Sequence, residues 1–280
     1  MTARFLPFED GRFRLRMGLR PLDVAQWIDV DHNYVHELSL KGELLATKHG
    51  DVVAALPGTE TAGHELLEAV RAHLATHHPG VASPLADDAA RHPVDRAARM
   101  VQEDLCLMVE RDGELVLGAA SVCFPSRWRL TDKIGRPLLA VHAPTPGYGT
   151  QLGRPTDDFL TRLAPDRPVW RVNWSLMSDP ALFQSVSARS PHAGGDIPPA
   201  EIGVRLWLRV ERQTLRRLER SVCFTIRTFV WPLGEALHGE PVARAALATS
   251  LRTMDDDFAA YKSVPGIRAA VLEWLAMYED

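Results

Sequence analysis

Between residues 105 and 229 the apolar residues gather in short strand-like runs, whereas before residue 80 and after residue 241 they recur at helical spacing. A chain so patterned must join a central set of strands to two helical flanks. Residues 105–110 and 115–124 flank Arg111-Asp112-Gly113-Glu114, whose Asp-Gly pair favours a tight hairpin. Residues 169–176, 204–213 and 222–229 read as three more strands, the last two joined by an Arg-rich link over 215–220. Strands gathered in this way, without βαβ alternation, predict an α+β fold and not a doubly wound one. The expected organisation is one domain: a mainly helical part over 1–100, a sheet core over 101–235 and C-terminal helices over 236–280.

The flanks carry their own punctuation. Pro21-Leu22-Asp23 is expected to start a helix bearing Val24, Trp27 and Ile28, followed by Tyr34, Leu38, Leu44 and Leu45 at near-helical spacing. After Pro57-Gly58-Thr59 a clearer helix sets Leu66, Leu67, Val70 and Leu74 on one face, and Pro79-Gly80 ends it. Residues 80–100 and 185–200, rich in Pro, Gly, Ser, Ala and Asp, read as loops, and a Gly/Pro-punctuated stretch over 131–155 precedes a short helix at 157–163. From Pro241 the helical pattern returns with Ala246, Leu251, Phe258, Val271, Leu272, Trp274 and Leu275.

Several function classes lose support at this level. The formal net charge is −4, and arginines alternate with acids instead of forming a basic stripe, which argues against nucleic acid as a partner. The first residues have no apolar core of a signal peptide, and every apolar run ends well short of the roughly 20 residues that a membrane helix needs. Cys106, Cys123 and Cys223 lie far apart in strand-like segments with no CxxC spacing, so they read as buried thiols of a cytoplasmic protein. No Gly-x-Gly-x-x-Gly, Walker or Gly-x-Ser-x-Gly sequence occurs.

Of the eleven histidines, ten sit in polar or loop contexts where solvated surface is the ordinary reading. His142 differs, because it ends the apolar run Pro137-Leu138-Leu139-Ala140-Val141 and precedes Ala143-Pro144-Thr145-Pro146. Such a rigid setting suits an axial metal ligand, although a satisfied core histidine is the commoner outcome. The strand over 169–176 sets Arg171, Asn173 and Ser175 on one face, and the strand over 222–229 sets Thr225 and Arg227 on one face. Each arginine is either exposed or a hydrogen-bond donor to an anionic or oxygen ligand inside a cavity. Trp128 would wall such a cavity; Lys133 and Arg154 are candidates for the carboxylates of a cofactor, or plain surface charges.

Phe124-Pro125-Ser126-Arg127-Trp128, Lys133-Ile134-Gly135-Arg136-Pro137-Leu138 and Val141-His142-Ala143-Pro144-Thr145-Pro146-Gly147-Tyr148 together resemble the central signature of the haem-dependent oxidative N-demethylases. That family includes dimethylamine monooxygenase subunits. Trp170-Arg171-Val172-Asn173-Trp174-Ser175, the run from Leu208 through Leu218, and Phe224-Thr225-Ile226-Arg227-Thr228 resemble its later blocks. The resemblance covers nearly the whole chain. It implies a PAS-like antiparallel sheet with helical additions, holding haem b between sheet and helices, with His142 as the proximal iron ligand. It assigns Arg171 and Arg227 to the distal pocket and to a haem propionate or structural pair, in either order. Lys133, Arg154 and Trp128 would then contact haem, and Asn173, Thr225 and Tyr148 would line the substrate pocket.

The activity implied is that of a monooxygenase, an oxidoreductase converting a small amine and O₂ into an aldehyde and a shortened amine. Electrons would come from a separate flavin/iron–sulfur reductase, since this chain has no fingerprint for either group; association into a homo-oligomer is left open. Thr145 departs from the family's pattern, which has an apolar residue there. Selectivity is expected to lie in residues 80–100 and 185–200. The alternative from another class is a haem-based PAS-like gas or redox sensor without turnover, and amine-dependent O₂ consumption separates the two; a haem-free binding module is a third reading.

Overall fold

The structure, a computed structural model, describes residues 5–8, 11–185 and 197–277. In chain order it contains β1 (Arg20–Pro21), α1 (Tyr34–Thr47), α2 (His49–Val52), β2 (Val53–Ala55), α3 (Glu60–His77) and α4 (Pro93–Ala98). The central part holds β3 (Asp104–Arg111), β4 (Glu114–Ser121), α5 (Leu138–Val141), α6 (Arg154–Arg162) and β5 (Val169–Met177). It ends with α7 (Ile202–Arg205), β6 (Trp207–Arg217), β7 (Ser221–Pro232), α8 (Leu233–Ala236), α9 (Pro241–Thr253), α10 (Asp256–Tyr261) and α11 (Pro265–Ala276). The α+β class is therefore as expected: one seven-stranded sheet of antiparallel pairs, in the order β1-β5-β6-β7-β3-β4-β2.

The hairpin between β3 and β4 turns on Asp112 and Gly113, both with positive φ, the conformation of a two-residue type I′ turn. Four details depart from the sequence reading. The helix expected from Pro21 is a single 3₁₀ turn over Val24–Gln26, capped by the Asp23 carboxylate. It goes no further because the backbone N–H groups of Asp29 and Asp31 donate to the side chains of Glu103 and Gln102. The loop expected over 80–100 contains α4, whose His92 cap and leading Pro93 start a helix too short to show a period. Residues 215–217, read as part of a link, belong to β6, and the turn is confined to residues 218–220. Within 131–155 the chain forms α5 and a π-helical turn over Tyr148–Gly153.

Register fixes what each face of the sheet carries. On one face lie Leu105, Leu107, Cys223, Trp174, Leu176, Leu208 and Val210. The N-terminal helices α1, α3 and α4 cover its β3–β4 side, and the C-terminal helices α9 and α11 cover its β5–β6 side. On the other face Cys106, Met108, Leu117, Val222, Leu215 and Phe224 meet Leu130, Leu160 and Leu163 from the segment that crosses between β4 and β5. That crossing segment does not close the second face along its whole length. Among the described residues no helix is long and apolar enough to cross a membrane.

Candidate functional site

Where the second face lacks a helical cover it forms the floor of a cavity of about 1050 Å³, at the upper end of the usual range for ligand and cofactor sites. The floor divides by strand. Cys106 and Met108 of β3, Leu117 of β4 and Phe224 and Ile226 of β7 make an apolar half. Arg171, Asn173 and Ser175 of β5 with Glu211 and Gln213 of β6 make a polar half. The crossing segment supplies the opposite wall with Trp128, Lys133, His142 and Tyr148, and α10 with the turn after it contributes Phe258, Tyr261 and Lys262.

His142 caps the C-terminus of α5, and its geometry follows from that position. Its backbone N–H donates to Leu138 O at 2.9 Å, and its ring Nδ1 lies 3.0 Å from the same carbonyl. A carbonyl only accepts, so Nδ1 carries the proton and Nε2 keeps its lone pair. Nε2 has no hydrogen-bond partner among the described residues. Burial pushes the imidazole pKa down to about 4, and Lys133 and Arg171 lower it further against the Leu138 hydrogen bond. The ring stacks on Tyr148 at 4.5 Å between centroids and 15° between planes. The outcome is a neutral imidazole of one tautomer and fixed orientation on the cavity wall.

The polar half of the floor is a connected group. Glu211 Oε2 accepts from Asn173 Nδ2 at 3.2 Å and from Gln213 Nε2 at 3.0 Å. Asn173 Oδ1 in turn accepts from Lys262 Nζ at 3.3 Å, and the same ammonium donates to Trp174 O at 2.5 Å. Burial lowers the Lys262 pKa to about 8, with Glu211 opposing the shift. Arg171 has its Nε buried without a hydrogen-bond partner among the described residues, and burial lowers its pKa against the attraction of Glu211. Behind this group Arg209 is wholly buried and donates to Leu182 O and Phe124 O, which ties the start of the crossing segment to the sheet.

The cavity is cationic although the chain is acidic. Ten Lys or Arg residues line it against Asp132 and Glu211. Lys133 lies 4.6 Å above the Trp128 ring, a cation–π contact that holds the ammonium at the wall. A large flat apolar ligand with anionic edges fits this lining: an apolar floor below, one imidazole lone pair opposite and cations around.

The structure brings His142, Arg171, Asn173, Tyr148, Lys133 and Trp128 to this one cavity. Three other candidates lie elsewhere. Arg227 and Thr225 belong to the opposite face, because Phe224 and Ile226 are the β7 residues of the cavity floor. Arg227 pairs with Glu37 and Asp31, and Thr225 hydrogen-bonds Thr214 at 2.7 Å. Arg154 is exposed at the start of α6 and is absent from the lining. Residues 80–100 line no part of the cavity, and of the 185–200 segment residues 186–196 lie outside the described residues. Thr145 places its hydroxyl 3.3 Å from the Tyr261 hydroxyl, so the departure at this position joins the crossing segment to α10.

Sequence reasoning missed Glu211, Gln213 and Lys262. The first two were findable, since they share a strand face and pair across from Asn173 and Arg171 in register. Lys262 arrives from a helical turn 89 residues beyond Asn173, and no local pattern signals it. A family model described as haem-dependent oxidative N-demethylase, alpha subunit-like, matches residues 18–272, which include the whole sheet and most of the cavity wall.

Proposed function

The chain belongs to the haem-dependent oxidative N-demethylase, alpha subunit-like family, and from that premise we propose that it holds haem b in the cavity and oxidises a small N-methylated amine. The observation that carries this reading is the His142 tautomer. Iron-ligating histidines donate their second ring nitrogen to a carbonyl or carboxylate, which orients the ring and leaves the other nitrogen free to ligate. His142 has that arrangement before any cofactor is added. The order of the five long strands, β4-β3-β7-β6-β5, supports the PAS-like reading of the sheet.

His142 Nε2 would hold the iron, and Lys133, steadied on Trp128, would take a propionate with the arginines of the cavity mouth. Haem, when bound, supplies the O₂ and electron-transfer chemistry. Arg171 is a buried cation with an unsatisfied donor on the sheet side of the cavity, placed to hydrogen-bond negative charge as it develops on oxygen. Asn173, Glu211 and Gln213 form the polar patch that would receive the amine. The reaction balances as R–NH–CH₃ + O₂ + 2 e⁻ + 2 H⁺ → R–NH₂ + HCHO + H₂O, with electrons from a separate reductase protein; an alpha-subunit-like chain is expected to work with partners.

The test is the visible spectrum of wild type beside His142→Ala, both expressed with haem precursor. A Soret band in wild type that is lost or shifted in the variant is the expected result. No Soret band in wild type, even after reconstitution, overturns the haem reading, and identical spectra overturn the ligand assignment. Haem without amine-dependent O₂ consumption, when reductant is supplied, would favour the sensor alternative.

A further inference from the structure

We infer that the substrate carries a carboxylate as well as its methylated nitrogen, so that its class is the N-methylated amino acids and not the simple dialkylamines. The inference deepens the amine-oxidation reading above and rests on it for the reaction, though not for binding. It starts from an oddity of the polar patch. Lys262 and Glu211 both line the cavity, yet they make no direct ion pair: Glu211 pairs with Arg209 behind it at 3.5 Å, and Lys262 has no carboxylate partner among the described residues. Opposite charges drawn out of bulk water ordinarily meet, because separated ones keep their desolvation cost without the Coulombic return. Here a single amide stands between them: Asn173 accepts from Lys262 with its oxygen and donates to Glu211 with its nitrogen.

Each charge thereby keeps unused hydrogen-bonding capacity. An ammonium has three donors, and Lys262 spends two, on Asn173 Oδ1 and Trp174 O. Glu211 Oε2 accepts two amides, while Oε1 has only Arg209 Nε at 3.5 Å, too long for a good hydrogen bond. Arg171 adds a second cation beside Lys262, with its own Nε unsatisfied. A simple dialkylammonium would satisfy Glu211 and leave both cations facing a third positive charge. A zwitterion satisfies the whole patch: its ammonium meets Glu211 and its carboxylate meets Lys262. The two are held apart by the amide as the ligand's own charges are held apart by carbon.

The experiment is calorimetric titration of the haem-loaded protein at pH 7 with N-methylglycine and with dimethylamine, using wild type, Lys262→Met and Glu211→Gln. Melting temperatures and a Lys262→Arg variant check that the fold and the charge requirement are being read separately. The expected result is that N-methylglycine binds at least tenfold more tightly than dimethylamine. Lys262→Met should weaken N-methylglycine tenfold or more and leave dimethylamine no weaker, Lys262→Arg should restore part of the loss, and Glu211→Gln should weaken both ligands. Equal or tighter binding of dimethylamine overturns the inference, as does a Lys262→Met loss common to both ligands, or binding of neither. Heat of binding does not depend on turnover. Carboxylate-selective binding without amine-dependent O₂ consumption therefore sinks the oxygenase reading alone, and turnover of dimethylamine in preference to N-methylglycine sinks this inference alone.

Discussion

Arg227 donates to Glu37 Oε2 at 2.7 Å and meets Asp31 at 2.9 Å with its guanidinium wholly enclosed, whereas Arg171 keeps a buried Nε with nothing to bind. The difference is one of sheet face. From sequence the two looked alike: an arginine on an alternating strand shows which neighbours share its side, but not which side meets a helix and which a cavity. Arg227→Met is expected to cost about 3–5 kcal/mol, because it strands two carboxylates, and urea denaturation at pH 7 measures it; a loss under 1 kcal/mol would show that water reaches Glu37. A histidine gives the pH prediction. Ile28 N donates to His73 Nε2 at 3.4 Å, and burial, then the neighbouring His77, His78 and Arg216, bring the His73 pKa down to about 4. The folded state therefore refuses a proton that the unfolded chain accepts from about pH 6.5 downward. His73's contribution is complete above that pH and is lost as pH falls toward 4. Asp104, raised to about 6 by burial, acts in the opposite direction over the same range. The comparison with His73→Gln isolates the histidine: the variant's stability should fall less steeply between pH 6.5 and 4, by at most about 1.4 kcal/mol per pH unit. Parallel curves would place the His73 proton elsewhere.

At the scale of elements, α7 and α8 approach so closely that Gly234 leaves no room for a side chain. A Cβ on Gly234 would stand 2.9 Å from Gly203 O, and one on Gly203 would meet the Trp274 ring at 3.1 Å. Backbone cannot yield as a side-chain tip can, so Gly234→Ala is expected to lose about 1–3 kcal/mol. Gly50→Ala in α2, where nothing lies within 4 Å, should be neutral or gain up to about 1 kcal/mol. Chemical denaturation of both variants decides the point, and equal stabilities would refute the close approach. Elements with strong periods were legible in the sequence: α3, with Leu66, Leu67, Val70 and Leu74 all buried, and the β3–β4 hairpin on Asp112-Gly113. Elements shaped by distant partners were not. The 3₁₀ turn at Val24–Gln26 stops because Glu103 and Gln102 take its following N–H groups, and α4 rests on a buried face of Val94, Ala97 and Ala98 that a six-residue helix cannot advertise.

For the whole molecule, a net charge of −4 concealed a segregation, since averaging over 280 residues hides ten cations gathered around one cavity. His142 and the Arg171–Asn173 strand were legible because local rigidity and alternation mark them; that they share a cavity depends on how the crossing segment returns over the sheet. The N-terminal helices α1, α3 and α4 and the C-terminal helices α9 and α11 pack on the face away from that cavity. Haem-free protein is therefore expected to unfold cooperatively with native far-UV dichroism, and haem to raise its Tm by binding linkage. An apo form that melts without cooperativity would show that the cofactor is part of the core. The same partition gives β6 a double life. Glu211, Gln213 and Leu215 look into the cavity, while Leu208, Val210, Arg212 and Thr214 look into packed interior. A mutational scan over residues 210–214 should oscillate with a period of two: Glu211 and Gln213 tolerated by folding but altered in ligand affinity, Val210, Arg212 and Thr214 lost to degradation before affinity can be read. Evolution, working on the same strand, can retune what the protein recognises by changing every other letter without renegotiating how it folds.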